Sequence, residues 1–459
     1  MDDREKLALQ ILRDALDAST NERAGYVSQR CGADVALRHR VDSLLRSVVA
    51  EDIDEEMPSE AVADALVGTR LGAFDVIERI GRGGMGVVYL GERSSGGFVQ
   101  RVALKLIRRG FDFDDVHARF LRERRILARL AHPNLARFID GGVAPDGRPW
   151  FALDYVLGES ITRWCDKQKL DVRARLKIFL DVCAAVQYAH SQLVVHRDLK
   201  PANVLVDESG VVNLLDFGIA RLLGGDDIAD APQTTMGHRY ALTPEYAAPE
   251  QFSGESAGVA TDVYSLGAIL YELVAGVLPY DVDRKDLAAA ERTVRETLPQ
   301  PLASAIARND PSIASGRDDA SPAEDASLKR LGARRTSLRA FRNLVRGDLS
   351  RIIETALAKE PQRRYTSVAG FADDLRNWLA GTPVRVSGNR LRYRIGKFVR
   401  RNAMAVGVAI ALAAGLMAAS AWALHNAWRE HAQREAAERE VEHSNAVYGY
   451  VMLMFRDAG

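Results

Sequence analysis

The strongest constraint on the fold is a change of hydrophobic pattern near residue 110. Asp75–Ile80, Val87–Leu90 and Phe98–Ile107 are rich in β-branched and aromatic residues and are separated by glycine-containing turns, which predicts strands. After Phe111, apolar residues recur at helical spacing as far as about Leu379. A run of strands followed by a run of helices predicts an α+β fold with a β-rich part ahead of a larger helical part.

Composition gives information about the partners of this protein and about the cellular compartment in which it works. Lys plus Arg and Asp plus Glu both number 62, so the net charge is zero and argues neither for nor against a nucleic-acid partner. No nucleic-acid partner is expected. The three cysteines are odd in number and far apart, which fits neither a disulfide framework nor a metal site and suits a reducing cytosol. The acidic N-terminus lacks an apolar core, so no cleavable signal peptide is expected.

Shifts in composition divide the chain into successive segments. An acidic stretch follows the first helical residues, and a region rich in Ser, Ala, Asp and Arg without clear periodicity interrupts the helical part. The expected segments are a small helical region (1–50), an acidic linker (51–73), a main domain (74–380) with a flexible insertion at about 303–340, a basic segment (381–402), an apolar helix (403–424) and a short tail (425–459).

A glycine cluster lies between the first two predicted strands. Glycines without a Cβ let the backbone approach phosphates closely, and Val87 is expected to lie against an adenine ring. A dinucleotide-binding turn or a plain hairpin is the alternative, but a dinucleotide site needs a helix directly after the glycines. The strand-like residues that follow favour a loop closing over a nucleotide, formed by Ile80, Gly81, Gly83, Gly84, Gly86, Val87 and Val88.

Two charged residues downstream are candidates for contact with the phosphates. Lys105 lies in the third predicted strand, and Glu123 lies on the helix expected after it. The Glu123 carboxylate could orient the Lys105 ammonium toward the α- and β-phosphates. Alternatively, Glu123 pairs with Arg122 or Arg124 on the helix surface.

The segment Val195-His-Arg-Asp-Leu-Lys-Pro-Ala-Asn203, followed by Leu215-Asp-Phe-Gly218, is the most specific motif in the chain. Phosphoryl transfer needs metal ions, an oriented hydroxyl and neutralisation of charge. Asp198 is placed to accept a hydroxyl proton, and Lys200 adds a positive charge nearby. Asn203 and Asp216 supply the oxygen ligands suited to Mg²⁺.

From about Phe74 to Leu379 the chain resembles the eukaryotic-type (Hanks-type) protein kinases, and in detail their bacterial, membrane-anchored branch. The resemblance rests on Gly83-Gly-Met-Gly-Val-Val-Tyr89, His132-Pro-Asn134, Asp154-Tyr-Val156 and Leu242-Thr-Pro-Glu-Tyr-Ala-Ala-Pro-Glu-Gln251, together with the motifs above. It implies a bilobal fold with a β-rich N-lobe and a helical C-lobe. It further implies that Ala103 and Leu153 line the ATP site, and that the backbone of Asp154, Tyr155 and Val156 meets adenine.

The resemblance also implies an activity. Asp-Leu-Lys-Pro-x-Asn is the serine/threonine form of the motif, so the expectation is transfer of the ATP γ-phosphate to protein Ser or Thr hydroxyls, with Mg²⁺ and Mn²⁺ as alternative cofactors. A catalytically silent pseudokinase that serves as a binding scaffold is the main alternative. A small-molecule phosphotransferase ranks lower, because the peptide-binding segment Thr243–Glu250 is present.

Three structural contacts are implied by the same family. Glu250 would pair with Arg364 and tie the substrate-side segment to the C-lobe, and solvent exposure of both is the alternative. Asp262 would brace the catalytic loop from the central helix. Thr243 is expected to bond near Asp198 and Lys200.

The run from Ala403 to Leu424 has no charged residue and is long enough to cross a bilayer. A buried Ala-rich helix is the alternative, but Arg385–Arg401 holds seven basic residues and no acid, and Trp422 lies at the opposite end. The prediction is a single-pass bacterial inner-membrane protein whose kinase domain is cytoplasmic. The tail after His425 would then be extracytoplasmic, and a truncated C-terminus is left open.

Regulation is expected on the loop between Asp216 and Glu250. Arg197 precedes Asp198, and such an arginine can pair with a phosphate on Thr234 or Thr235, the candidate autophosphorylation sites. A homodimer is left open, since small residues recur at every fourth position of the apolar run: Ala403, Gly407, Ala411, Gly415, Ala419 and Ala423.

Overall fold

The computed structural model describes residues 11, 23–31, 34, 37–38, 41, 66–83, 86–95, 97–107, 129–216, 243–253, 257–283, 286–306, 322–388 and 391–456. Backbone contacts divide the chain into two compact units, Met1–Arg376 and Asn377–Gly459.

The N-lobe is a six-stranded antiparallel sheet, and the predicted strands are confirmed within it. Its spatial order is β1-β2-β3-β4-β6-β5. The core on one face contains Phe74, Tyr89, Leu104 and Trp150, all less than one-tenth exposed. The strands are β1 (Arg70–Leu71), β2 (Phe74–Gly83), β3 (Gly86–Ser95), β4 (Phe98–Ile107), β5 (Phe138–Val143) and β6 (Pro149–Asp154).

Gly86 begins β3 in a conformation that needs glycine. Its φ is +153°, and a Cβ built there would lie 2.0 Å from the Leu106 carbonyl oxygen of β4. Any side chain would therefore push the loop away from the neighbouring strand. Gly81 has no comparable restriction, since its Cβ would meet nothing closer than Val88 Cβ at 3.9 Å.

The C-lobe surrounds one buried helix, α5 (Val259–Ala275), and includes a small sheet of three strands, β7, β8 and β9. Within this lobe Cys165 and Cys183 are free and buried, and burial raises the pKa of the Cys165 thiol to about 11. The strands are β7 (Gly158–Ser160), β8 (Val204–Asp207) and β9 (Val212–Leu214). The helices are α2 (Ile161–Lys167), α3 (Val172–Ser191), α4 (Pro249–Phe252), α5 (Val259–Ala275), α6 (Leu287–Glu296), α7 (Leu302–Ala305), α8 (Pro322–Ala333), α9 (Leu338–Val345), α10 (Asp348–Ala356) and α11 (Val368–Ala380).

The flexible insertion expected at about 303–340 stays a prediction, and its described part contains helices. Helices α7, α8 and the start of α9 occupy the described part of it, and residues 307–321 lie outside the described residues. Arg334, which follows α8, is 2% exposed and donates to the carbonyls of Leu273 (3.0 Å) and Val274 (2.6 Å) at the end of α5. Arg334 thus caps carbonyls that a helix end leaves without partners, while Ile306 and Leu331 of the same segment are buried as apolar contacts.

A short helix, α1 (Arg23–Cys31), belongs to the N-terminal region predicted to be helical. Its buried side chains contact three further apolar residues from the same region. The cluster consists of Ile11, Val27, Cys31, Leu37 and Val41, each 5% exposed or less.

The second unit contains two helices, α12 (Leu391–Arg401) and α13 (Ala403–Arg456). The predicted apolar helix over 403–424 is the first part of α13, which continues without a break through the charged residues that follow. Within the described residues, Ala403–Met452 is one helix that could cross a membrane by length and composition.

Glu250 and Arg364 form the predicted ion pair, and the solvent-exposed alternative is excluded. Arg364 donates to both Glu250 oxygens at 2.7 and 2.8 Å, and both side chains are buried. Burial alone would raise the pKa of the Glu250 carboxyl, but the hydrogen bonds and charge of Arg364 hold that pKa below its ordinary value. Arg364 also donates to the carbonyls of Ala260, Ala358 and Lys359, so its charge is fully hydrogen-bonded.

The substitution Gly86→Ala is expected to lower the free energy of unfolding by about 1–3 kcal/mol, because an alanine there has both a disfavoured φ and a backbone clash. Gly81→Ala is the matched control and should change that free energy by less than about 1 kcal/mol. Thermal denaturation of the two variants beside the parent measures the difference, and equal effects would contradict the steric account.

The substitution Arg364→Met should lower the free energy of unfolding by about 3–5 kcal/mol, because it leaves the Glu250 carboxylate buried without its partner. Arg376→Met, which breaks the exposed pair with Asp373 at 2.9 Å, is the control and should cost less than about 1 kcal/mol. Denaturant titrations provide both values.

The same pair predicts a pH dependence. Because the folded-state pKa of Glu250 is lowered, its contribution to stability is present above the pKa of an unfolded glutamate and is lost as pH falls through the folded value. The Arg364→Met protein should lose less stability than the parent between neutral pH and that acid range. A loss of equal size in both proteins would contradict this assignment.

Candidate active site

The loop from Val195 to Asn203 lies between α3 and β8, and Asp262 of α5 determines its backbone course. The Asp262 carboxylate accepts hydrogen bonds from the backbone N–H groups of His196 (2.8 Å) and Arg197 (2.9 Å). The bracing role expected of Asp262 is therefore confirmed as a contact.

Two residues of the site adopt left-handed backbone conformations. The φ of Arg197 is +66° and that of Asp216 is +50°, regions that cost about 1–2 kcal/mol for a residue with a side chain. Asp262 compensates at Arg197, where Gln251 also donates to the carbonyl oxygen at 2.9 Å. Such strain is found where a side chain must be aimed in a particular direction.

Asp198, Lys200 and Asn203 converge on one point. Oδ2 of Asp198 lies 2.9 Å from the Lys200 ammonium and accepts from the Asn203 amide at 3.2 Å, while the same amide donates to the Asp198 carbonyl at 2.7 Å. Oδ1 of Asp198 has no hydrogen-bond partner among the described residues. Oδ1 is therefore the more available of the two carboxylate oxygens of Asp198.

Lys200 links this cluster to the segment Thr243–Glu250. Its ammonium donates to the Thr243 hydroxyl at 3.0 Å, which confirms the structural role expected of Thr243. Tyr246 anchors the same segment to α5, since its hydroxyl donates to Glu272 at 2.6 Å and its carbonyl accepts from Ser265 at 2.9 Å. The segment Thr243–Glu250 is therefore anchored at several points beside the cluster that contains Asp198.

Lys105 and Asp216 form the second charged pair of the site. Their Nζ and Oδ2 atoms lie 2.9 Å apart, and the Lys105 side chain is 8% exposed. The Leu215 amide donates to the Asn203 carbonyl at 2.8 Å, so Asp216 follows directly after a contact with the catalytic loop. The pairing shows that β4 and the segment after β9 meet at one point of the cleft.

The oxygen donors at this point suit a hard divalent cation. Asn203 offers an amide oxygen and Asp216 a carboxylate, and Mg²⁺ prefers such ligands. No group of three or more His, Cys, Asp or Glu side chains that could hold a metal occurs within the described residues. Mg²⁺ usually keeps several waters and is held by one or two carboxylates together with substrate phosphates.

The sheet register determines which of the expected ATP-site residues share a face. In β3 and β4, Val88 pairs with Lys105, and in β4 and β6, Ala103 pairs with Leu153. Alternation of side chains puts all four on the face opposite the N-lobe core. Ile80, Gly81 and Gly83 lie on β2, Gly86 begins β3, and Asp154, Tyr155 and Val156 lie at and just after the end of β6.

Val87 was predicted to lie against adenine, and the structure corrects this. Val87 pairs with Leu106 and packs against the N-lobe core, so its side chain lies on the other face of the sheet. Val88 lies on the same face as Lys105 because the side chains of a strand alternate with a period of two. The remaining predicted residues Gly84, Glu123, Thr234 and Thr235 lie outside the described residues.

Sequence reasoning missed two residues that support the loop. Nε2 of His190 lies 2.7 Å from Asp262, and Gln251 contacts Arg197 as described above. His190 lies near the end of α3. The only indication of its contact in the sequence was that it precedes the catalytic loop by a few residues. Gln251 stands within the matched motif, but nothing in its spacing indicated a bond to the catalytic loop.

Comparison with known proteins matches the protein kinase domain model over residues 74–375. Serine/threonine-protein kinase Pkn1 of Myxococcus xanthus is 33% identical over 374 residues, which cover 79% of this chain and 47% of that protein. The probable serine/threonine-protein kinase PknB of Lactococcus lactis is 36% identical over 228 residues, which cover 49% of this chain and 35% of that protein.

Among solved structures, the kinase domain of Mycobacterium tuberculosis PknI aligns with 28% identity and a TM-score of 0.44, covering 68% of this chain and 98% of that domain. The chain spans about half the length, or less, of the curated relatives named above. The family match covers the N-lobe sheet, the catalytic loop and the helices around α5 together. The chain therefore belongs to the protein kinase family and groups with the eukaryotic-type serine/threonine kinases of bacteria.

Proposed function

We propose that this protein transfers the γ-phosphate of ATP to serine or threonine hydroxyls of proteins. The observation that carries the proposal is the geometry of Asp198, whose Oδ2 is bound by Lys200 and Asn203 while Oδ1 has no partner among the described residues. A substrate hydroxyl beside Oδ1 would lose its proton to Asp198 as its oxygen attacks phosphorus. The Lys200 ammonium would offset charge on the transferring group.

ATP and a divalent cation are the cofactors of this family, and we propose Mg²⁺, with Mn²⁺ as an alternative. Asn203 and Asp216 would hold the cation, which neutralises phosphate charge when bound. Lys105 is within ion-pair distance of Asp216 and would bind phosphate oxygens from the other side of the cleft. The face that contains Val88, Ala103 and Leu153 would receive the adenine.

We propose that the first part of α13 spans the bacterial inner membrane once, with the kinase domain in the cytoplasm. The seven basic residues of Arg385–Arg401 support this orientation, because such residues favour the cytoplasmic side. The charged residues after His425 would then lie on the extracytoplasmic side of that membrane.

We further propose that two copies associate through α13. Gly407 and Gly415 lie on one helical face, and a Cβ added at either would meet no neighbouring atom. Close approach of two helices is favoured where such small residues repeat every fourth position. Association would bring each kinase domain near the activation loop of its neighbour at a high effective concentration.

Asp198→Asn should reduce phosphate transfer by about a thousandfold, because the amide cannot accept the hydroxyl proton. Glu208→Gln, which removes an exposed carboxylate on the turn between β8 and β9, should leave transfer unchanged. Transfer of labelled phosphate to a generic protein substrate measures both. Equal turnover in the Asp198 variant and the parent would refute the mechanism, and no turnover in the folded parent would support a pseudokinase.

Autophosphorylation at Thr234 or Thr235 should raise activity by ordering the loop through Arg197. The double substitution Thr234→Val, Thr235→Val should reduce turnover by about tenfold or more, whereas Thr297→Val, at an exposed threonine after α6, should not. Mass spectrometry of the active protein identifies the modified residues. A fully active preparation in which both threonines are unmodified would disprove this site of activation.

A further inference from the structure

Helix α12, in the unit that also contains α13, leaves three large apolar side chains in solvent. Ile395 is 51% exposed, Phe398 is 56% exposed and Val399 is 39% exposed. At about 100° per residue these positions fall within roughly 100° of one another around the helix axis. They form a continuous apolar stripe along α12, which we call the lipid stripe.

Basic residues lie on the other sides of the helix. Arg394, Lys397 and Arg401 flank or oppose the lipid stripe, and α12 contains no acidic residue. A helix with an apolar stripe and a basic remainder matches the surface of an anionic membrane, where apolar side chains enter the acyl boundary and cations meet headgroups.

The position of α12 in the chain gives a second argument for a lipid partner. Only Asn402 separates α12 from α13, and backbone hydrogen bonds of 2.9 Å from the amides of Asn402 and Val406 connect the two helices. If α12 continued straight from the proposed span, Ile395 would lie about 12 Å beyond Ala403. That is beyond the headgroup layer, which is about 5–7 Å thick on each side, so Ile395 would stand in water, and Phe398 and Val399, about 8 and 6 Å beyond Ala403, would reach only the outer edge of that layer.

We propose that α12 bends at Asn402 and lies against the anionic cytoplasmic leaflet, with the lipid stripe in contact with acyl chains. This inference rests on the proposed membrane span and adds a lipid-recognition surface to it. The bend would set the distance between the kinase domain and the bilayer. The partner is therefore a membrane that contains acidic phospholipid.

The experiment uses the full chain in vesicles, with single cysteines that carry an environment-sensitive fluorophore. Ile395→Cys reports on the lipid stripe, Lys397→Cys reports on the opposite face of α12, and Ala411→Cys reports on the span. The native cysteines Cys31, Cys165 and Cys183 are buried and are replaced by serine only if they label. Each protein is reconstituted with phosphatidylcholine alone and with added phosphatidylglycerol.

In vesicles with phosphatidylglycerol, a nitroxide quencher attached to lipid should quench the label at 395 at least about twofold more than the label at 397. The difference should shrink in phosphatidylcholine alone. Arg394→Gln together with Arg401→Gln should weaken the increase in lipid quenching at 395 that phosphatidylglycerol causes. The equilibrium constant for contact of α12 with the lipid surface should fall roughly fivefold for each charge removed. The exchange Phe398→Asn should reduce quenching at 395 without altering quenching at 411.

Two results would overturn the proposal. Equal access of an aqueous quencher to the labels at 395 and 397 in anionic vesicles would show that the stripe stays in water. Protection of the label at 395 from both quenchers would show that protein covers it, either a second copy or the kinase domain. The label at 411 separately tests the span, so a lipid-quenched 411 with a water-exposed 395 rejects this inference and leaves the anchor in place.

Discussion

The carboxylate of Asp262 is the contact on which the geometry of the site depends. It is buried in α5 and accepts from two consecutive backbone amides of the catalytic loop and from the His190 ring. These bonds hold Arg197 in a left-handed conformation, and the direction of Asp198 follows from that backbone turn. His196 extends the effect, because its ring lies 2.8 Å from the carbonyl oxygen of Leu215, the residue before Asp216. One carboxylate on a buried helix therefore fixes the backbone next to Asp198 and, through His196, the residue before Asp216.

The C-lobe uses buried arginines where many domains use apolar residues. Arg175 and Arg334 both lie near Asp166, at 2.7 and 3.6 Å, and both donate to carbonyls at the end of α5. Burial and the neighbouring Arg175 lower the pKa of Arg334 to about 10, so the side chain stays charged at neutral pH. Such contacts are directional, and they tie the insertion to the helix that carries Asp262.

Motif spacing predicted the identity of the site residues well, because phosphoryl transfer needs particular charges in a particular order. Asp198, Lys200 and Asn203 converge as expected, and the pairs made by Asp262, Glu250 and Thr243 are present. The sequence was a weaker guide to which face of the sheet a strand residue occupies. Val87 and Val88 are chemically identical, and only the pairing of β3 with β4 shows which one faces the cleft.

The sequence did not predict the helices in the described part of the insertion, for a related reason. Hydrophobic periodicity detects helices that bury apolar side chains, whereas the segment around α8 buries Arg330 and Arg334 through hydrogen bonds. His190 was missed because a single histidine on a helix carries no spacing signal of its own. In each case the missing information was a long-range contact, which local sequence does not encode.

The length of α13 has a mechanical consequence. The helix contains 54 residues, which corresponds to about 80 Å at 1.5 Å per residue. A bilayer needs only about 20 residues, so with the proposed span roughly 50 Å of helix would project beyond the lipid. A helix of this kind resists twisting and compression along its axis far better than a flexible tether does. A push or a rotation applied at its far end would therefore move the whole helix, including the part that spans the membrane.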